Sequence, residues 1–277
     1  MDFTINGQTA NITLENEETL GEFLSGVEHW LHDSEYSLSG IIIDGEEIAP
    51  SDISEVFSKK LNTINTIDIK TSSKLELYLE ALIITDQYLE MYEKSSFEDK
   101  KSIQTNWEDG AAASFIKNRE AALFNMLHDV FSGLGLNLAD AKSIIMERIR
   151  ELENPAKELA NMHSFIEDCA KRLEDLPLDL QTGKDFRAAE TIQFFSGINE
   201  KLFRIVAIME QQGIKFESIN VENQTFKAFI EEFSTALQEL LSAYESKDSV
   251  LVGDLAEYEL APRLRSFYAA VNNPVQL

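Results

Sequence analysis

Residues 38–50, "LSGIIIDGEEIAP", place three consecutive isoleucines before Asp44-Gly45 and a second, shorter apolar run. An Asp-Gly pair supplies the positive φ angles of a two-residue hairpin turn, so Ile41 to Ile43 reads as a buried strand and Glu47-Ile48 as its return. Toward the N-terminus, Phe3 and Ile5 alternate with polar neighbours, Asn6-Gly7 offers a second tight turn, and Ala10, Ile12 and Leu14 alternate on the way out. Between these hairpins, Leu20, Phe23, Leu24, Val27 and Leu31 recur at helical spacing behind the acidic "ENEE", whose carboxylates suit a helix N-terminus. This helix is expected to end near His32-Asp33. Downstream, "SDISEVF" reads as a helical turn capped by Ser51 or Asp52, and Thr66 to Lys70 closes with alternating Ile67 and Ile69. The predicted order is ββαββ.

That order resembles the β-grasp, or ubiquitin-like, fold over the first quarter of the chain. More narrowly, "INGQTANITLENEETLGEFL", "IIIDGEEI" and "TIDIK" are similar to the small sulfur-carrier proteins of thiamin and molybdopterin synthesis. The resemblance implies a free C-terminal Gly-Gly that is adenylated and thiocarboxylated. Here Lys70-Thr71-Ser72-Ser73 runs straight into more protein, so the fold carries over and the carrier chemistry does not.

From Lys74 the period changes from two to that of a helix. Leu75 to Tyr92 is apolar-rich, and Ser95 with Glu98 reads as the capping box of a second helix. Ala112, Phe115, Ile116, Leu123, Met126, Leu127 and Val130 form one stripe until "SGLGLN" interrupts it. A helix with Ala141, Ile144, Ile145, Ile149 and Leu152 inward stops before Asn154-Pro155, where the proline suits a first helical turn. Leu159, Met162, Ile166, Cys169 and Leu173 make the next stripe, predicted to end at "LPLDLQTG". A long helix runs from about Lys184 to Gln212, with Phe186, Phe195, Ile198, Leu202, Ile205 and Met209 inward and Gly213 as its stop. Phe226, Phe229, Ile230, Phe233, Leu237, Leu240, Leu241 and Tyr244 follow as another stripe. A last helix from Ser249 is expected to kink at Pro262. The fold class is therefore α+β, with residues 1–72 a β-grasp domain and residues 73–277 an all-α bundle.

The formal charge of −25 repels nucleic-acid phosphates and anionic lipid headgroups, and leaves open a basic partner protein or loosely held cations. With Cys169 alone, no intrachain disulfide forms; its apolar neighbours make it a buried small hydrophobe, and a reducing, cytoplasmic setting follows. Neither a signal peptide nor a membrane-spanning run is evident.

Candidate chemistry is sparse. His29 and His32 stand three apart beside Glu28 and Asp33, a spacing that permits a metal but fits a solvated helix end better. Gly133 and Gly135 precede a helix as a phosphate loop would, yet follow a helix, so a turn capped by Asn137 is the reading; Gly183-Lys184 lacks the remaining P-loop residues and is read as a connection with an anchoring lysine. "IQTNWEDGAAASF" resembles the Trp-x-Gly family of secreted helical hairpins, with one residue too many between Trp107 and Gly110; it is read as a turn with Trp107 packed inside. "SVLVGDLAEYELAPRLRSF" and "LQTGKDFRAAETIQFFSGINEKLFRI" resemble uncharacterised helical proteins of bacteria that are sometimes associated with motility loci.

These readings lead to a non-enzymatic bacterial adaptor or scaffold in a motility or secretion setting, with no cofactor and no metal. Its partner-binding surfaces are expected at Ile41, Ile43, Glu46 and Ile48 and at Asp254, Glu257, Tyr258, Arg263 and Arg265. Two alternatives stand beside it. One is a small-molecule or metal-dependent enzyme in which Asp254, Glu257 or Tyr258 converges with a histidine; the other is a structural subunit of a homo-oligomer with a large apolar patch on one helix face.

Overall fold

The computed structural model describes residues 1–14, 16–31, 34–48 and 52–273. The expected cap Ser51 and the helix end at His32 and Asp33 lie outside them. Its Cα packing divides into two compact units, Met1–Ile145 and Met146–Leu277.

The first unit opens with strands β1 (Asp2–Ile5) and β2 (Gln8–Thr9), helix α1 (Leu20–Leu31), strands β3 (Tyr36–Ile43) and β4 (Glu46–Ile48), the single turn α2 (Ile53–Val56) and strand β5 (Thr66–Ser73). Both hairpin turns form as their residues dictate, with positive φ at Asn6, Gly7, Asp44 and Gly45. The five strands are ordered β2-β1-β5-β3-β4; β1 and β5 are parallel and every other neighbouring pair is antiparallel. The fifth strand thus follows the predicted ββαββ string and lies in the middle of the sheet.

Register decides which side chains are buried. Phe3 pairs with Ile67 and Ile5 with Ile69, while Ile41 pairs with Ile69 and Ile43 with Ile67, so all six share one face. Leu20, Phe23, Leu24, Val27 and Leu31 of α1 cover that face as their periodicity requires, and each is buried. Fully burying such a side chain is worth about 1.5–3 kcal/mol. Ile41 and Ile43 are therefore core residues, 0% and 3% exposed, and cannot form the partner surface expected of them. The first return strand is shorter than the alternation of Ala10, Ile12 and Leu14 implies: only Gln8–Thr9 pairs, and Ile12 and Leu14 half-bury against the core.

No residue separates sheet from helix at the end of β5. Ser73 pairs with Tyr36 in the sheet and is also the N-cap of α3 (Lys74–Lys94), its side chain accepting from the Glu76 amide while Glu76 accepts from the Ser73 amide. Then come α4 (Phe97–Glu108), α5 (Ala111–Arg119), α6 (Ala121–Phe131) and α7 (Leu138–Glu153). Two expectations are corrected here. Ser96 with Asp99, one residue on from Ser95 and Glu98, caps α4; Ser95 ends α3 instead. The single stripe from Ala112 to Val130 is two helices, because Glu120 leaves helical geometry and its carboxylate takes the Tyr78 hydroxyl. Trp107 packs as expected, its Nε1 donating to Thr85 Oγ1 at 3.1 Å between the rings of Phe124 and Phe131.

In the second unit Asn154 caps α8 (Pro155–Asn161), with Pro155 in the first turn. Helices α9 (His163–Gln181) and α10 (Asp185–Gln211) follow, then a hairpin of β6 (Asn220–Val221) and β7 (Gln224–Thr225), then α11 (Phe226–Glu245), α12 (Ser249–Asp254), a π-helical turn (Leu255–Leu260) and α13 (Ala261–Asn272). The hairpin qualifies the all-α expectation: Glu222 and Asn223 both adopt positive φ, and Thr225 closes the hairpin and caps α11 through the Ala228 amide. Helix α9 ends within the LPLDLQTG stretch as expected, at Gln181, but carries Pro177 in its interior before it does. An interior proline forgoes a backbone hydrogen bond and costs about 3 kcal/mol. Packing on both sides offsets that: Leu173 and Leu176 are buried, and Gly253 of α12 lies directly on the proline ring. At Pro262 the chain answers differently, with the Ala261 amide reaching back five residues to the Ala256 carbonyl, so a wide turn accommodates the ring. Phe267 centres the core, ringed by Phe203, Phe226, Phe229 and Phe233. Phe186, Leu241 and Tyr244, assigned inward by periodicity, are exposed.

Three helical glycines make a test of this packing. A Cβ at Gly253 meets Pro177 Cβ at 3.1 Å and its backbone Cα at 3.3 Å, whereas at Gly26 and Gly197 it meets nothing within 4 Å. Gly253→Ala is expected to lower stability by about 1–3 kcal/mol through overpacking. Gly26→Ala and Gly197→Ala are expected to raise it by about 0.5–1 kcal/mol through helix propensity. Urea unfolding followed by circular dichroism reads all three.

Candidate functional site

Helix α1 presents Phe23, Gly26, Val27 and Trp30 at i, i+3, i+4 and i+7, which places them in one row. Phe23 and Val27 close the core; beyond them Gly26 leaves a notch, and Trp30 stands at the rim, 67% exposed. The facing wall is Ile5 of β1, Ile69 of β5 and the segment Ala10 to Leu14. Together they enclose a cleft of about 640 Å³, within the range of ligand-binding pockets, whose polar lining is Asn11, Thr13 and Glu17. An exposed indole beside an apolar notch can take an apolar side chain or ring, because it offers large rigid contact area with little conformational entropy to lose. Periodicity marked Phe23 and Val27 as core and could not show that the row continues into an open cleft. The signal lay in Gly26 and Trp30 continuing that row at helical spacing.

The second unit holds a different concentration of polar groups. Arg204 of α10 grips Glu151 of α7 with two bonds, Nε to Oε2 at 2.6 Å and Nη2 to Oε1 at 2.9 Å, and Glu151 is fully buried. Lys201, one turn earlier, reaches Glu147 at 3.1 Å and the buried Glu158 of α8 at 3.2 Å. Burial pushes the Glu147 carboxyl up, but the Lys201 charge and hydrogen bond, together with a hydrogen bond to Glu151 and the Arg148 charge, hold its pKa below the ordinary value. Three carboxylates so close together would invite a divalent cation, but lysine and arginine already neutralise them. Among the described residues no group of three or more His, Cys, Asp or Glu is placed to hold a metal.

The expected surfaces are only partly surface. Glu46 is exposed on the edge strand β4 and Ile48 is half-buried. Asp254 is exposed, and Tyr258 projects 66% into solvent, where a hydrogen bond to Glu257 raises the phenol pKa above its ordinary value. Arg263 and Arg265 are ties within the fold: Arg263 binds Glu259 and Glu232 of α11, and Arg265 binds Glu167 and Glu174 of α9. Tyr258 and the carboxylates Asp254 and Glu257 contact no histidine among the described residues; His163 lies beside the Tyr268 ring and His128 binds Glu108 at 2.8 Å. His29 is exposed, and its proposed partner His32 lies outside the described residues. The turn readings stand: Asn137 accepts from the Asp140 amide, and Lys184 anchors on the buried Asp179 at 3.3 Å. Cys169 is buried, and desolvation lifts its thiol pKa to about 12, which leaves it unreactive.

Two family models match the chain. The TP0873 N-terminal domain covers residues 1–73, ending at the residue where β5 becomes α3, and a domain of unknown function, DUF8042, covers residues 157–270. The chain is also similar to an uncharacterized protein of Treponema pallidum (strain Nichols), 23% identical over 265 residues, which span 96% of this chain and 93% of the relative. No solved structure matches it. Among the described residues no helix is long and apolar enough to cross a membrane.

The ionic cluster makes its own prediction. Arg204→Ala leaves Glu151 buried without its principal partner and is expected to cost about 3–5 kcal/mol. Because the Glu147 pKa is depressed on folding, its contribution is present above the unfolded carboxylate pKa of about 4.3 and is lost as pH falls below that value. Urea midpoints measured from neutral pH downward are expected to fall, and to fall less steeply in Glu147→Gln.

Proposed function

We propose that the chain is a non-enzymatic adaptor whose first 73 residues form a β-grasp module that binds a partner protein at the Trp30 cleft. The β-grasp reading is supported by the strand order β2-β1-β5-β3-β4, with a parallel central pair and one helix across one face. The observation that carries the binding role is an indole two-thirds exposed at the mouth of an apolar cleft built from core elements. Tryptophan is enriched at protein interfaces, and aromatic anchors seated in pockets dominate their binding energy. A photo-crosslinking residue at position 30 is expected to trap a discrete protein in bacterial cells, while the same residue at Glu47, exposed on β4 at the opposite end of the sheet from β1, traps none. Identical patterns from both positions would overturn the reading.

A second reading, assembly of the chain with itself, is favoured by a separate observation. The turns joining α9 to α10 and α11 to α12 border one pocket of about 450 Å³. Near them Leu178, Phe186, Leu241, Tyr244, Val250 and Leu251 are all exposed. Light scattering is expected to report an oligomer that Phe186→Asp with Val250→Asp reduces to monomer; a monomer at all concentrations rules it out.

A further inference from the structure

We infer that the occupant of the Trp30 cleft is a linear, basic peptide segment carrying apolar anchor side chains; the inference rests on the protein-binding role proposed for that cleft. Three observations point to this chemistry. First, the walls offered by Ile5, Ile12, Leu14, Val27 and Ile69 are apolar, and the volume of about 640 Å³ suits two or three apolar side chains and not a folded domain. The anchor must therefore project from a narrow chain.

Second, the charge that lines the cleft is acidic, and the module around it is strongly so. Among the described residues Glu17 is its one ionisable lining residue. Residues 1–73 carry fourteen acidic and three basic side chains, a balance of −11 with histidine neutral. None of the three lysines lines the cleft: Lys70 alternates to the opposite face of β5 from Ile69 and pairs with Asp68 at 2.6 Å, Lys60 borders the neighbouring depression with Glu17 and Glu18, and Lys59 lies beside it in sequence. A basic segment is drawn toward such a surface and an acidic one is turned away, in encounter rate and in register.

Third, the indole at the rim accepts a cation on its ring face, so an apolar anchor followed by lysine or arginine satisfies cleft and rim together. Trp30 does not hold an intramolecular cation among the described residues, whereas the rings of Tyr78, Tyr92, Phe124 and Phe194 each do.

The test uses the full chain and two labelled synthetic peptides of about twelve residues, one alternating leucine with lysine and one alternating leucine with glutamate. Binding is read by anisotropy of the peptide and, independently, by tryptophan emission. Trp107 is buried, so a peptide-induced blue shift reports Trp30. The leucine-lysine peptide is expected to bind saturably, at least about ten-fold more tightly than its glutamate counterpart, and more weakly as salt rises from about 0.05 M to about 0.5 M. Gly26→Leu, which fills the notch, and Trp30→Ala are each expected to weaken binding about ten-fold, and Glu17→Gln a few-fold. Trp30 is largely exposed, so its alanine variant keeps the fold even if Gly26→Leu does not; thermal melts check both.

Lysine-peptide binding untouched by Trp30→Ala and by folded Gly26→Leu would mean attraction to acidity elsewhere, and would overturn the inference. Equal binding of the glutamate peptide, lost in Trp30→Ala, would overturn the basic chemistry while leaving the cleft a protein-binding site. If neither peptide binds, the inference fails, and crosslinking from position 30 decides the adaptor role separately.

Discussion

Strand β5 is the constraint on which the first unit depends. It is hydrogen-bonded on both flanks, parallel to β1 and antiparallel to β3, and its Ile67 and Ile69 meet isoleucines from one neighbour and Phe3 and Ile5 from the other. Buried on one face by α1, it has little freedom to slip, because a shift of one residue would turn both isoleucines to solvent and bring Asp68 and Lys70 inward. The strand then passes directly into α3 through the reciprocal bonds of Ser73 and Glu76. Sheet and first long helix are thus joined by a cap and not by a linker, and α3 inherits its starting direction from the most constrained strand in the sheet.

Much of this was legible in residue pattern. The five apolar positions of α1 are all buried, the Asn6-Gly7 and Asp44-Gly45 turns adopt the backbone that glycine and its partner permit, and Asn154-Pro155 starts a helix. What escaped were features whose cause is non-local. Glu120 breaks a stripe because the Tyr78 hydroxyl, 42 residues away, offers its carboxylate a partner. Pro177 stays helical because Gly253 packs on it from a helix far along the chain. The 220–225 hairpin is too short for alternation to register.

The candidate site was less legible than the fold. Ile41 and Ile43 drew attention as part of a conspicuous apolar run, but in a sheet covered by a helix such a run marks the inner face. Arg263 and Arg265 looked like surface charge and are spent on carboxylates of α9 and α11. The Trp30 cleft depends on where Ala10 to Leu14 runs relative to α1, and no period in the chain encodes that distance. The Glu151 cluster was likewise invisible, since its members come from three helices whose faces had been assigned only by their apolar residues.

The π turn at Leu255–Leu260 has a consequence for how α13 came to fit its place. A widened turn is equivalent to one additional residue in an otherwise regular helix, and each residue advances the helical phase by about 100°. Leu264, Phe267 and Val271 point inward, and Arg265 meets Glu167 and Glu174, because the widened turn takes up that extra residue without passing its rotation on to α13. Loss of a single residue between 255 and 260 would therefore let the turn close to regular width and leave the C-terminal helix facing as it does, whereas loss of one within α13 itself would turn its aromatic anchor out of the core. The widened turn is thus the one helical step of this segment at which a residue can be lost without re-aiming the side chains beyond it.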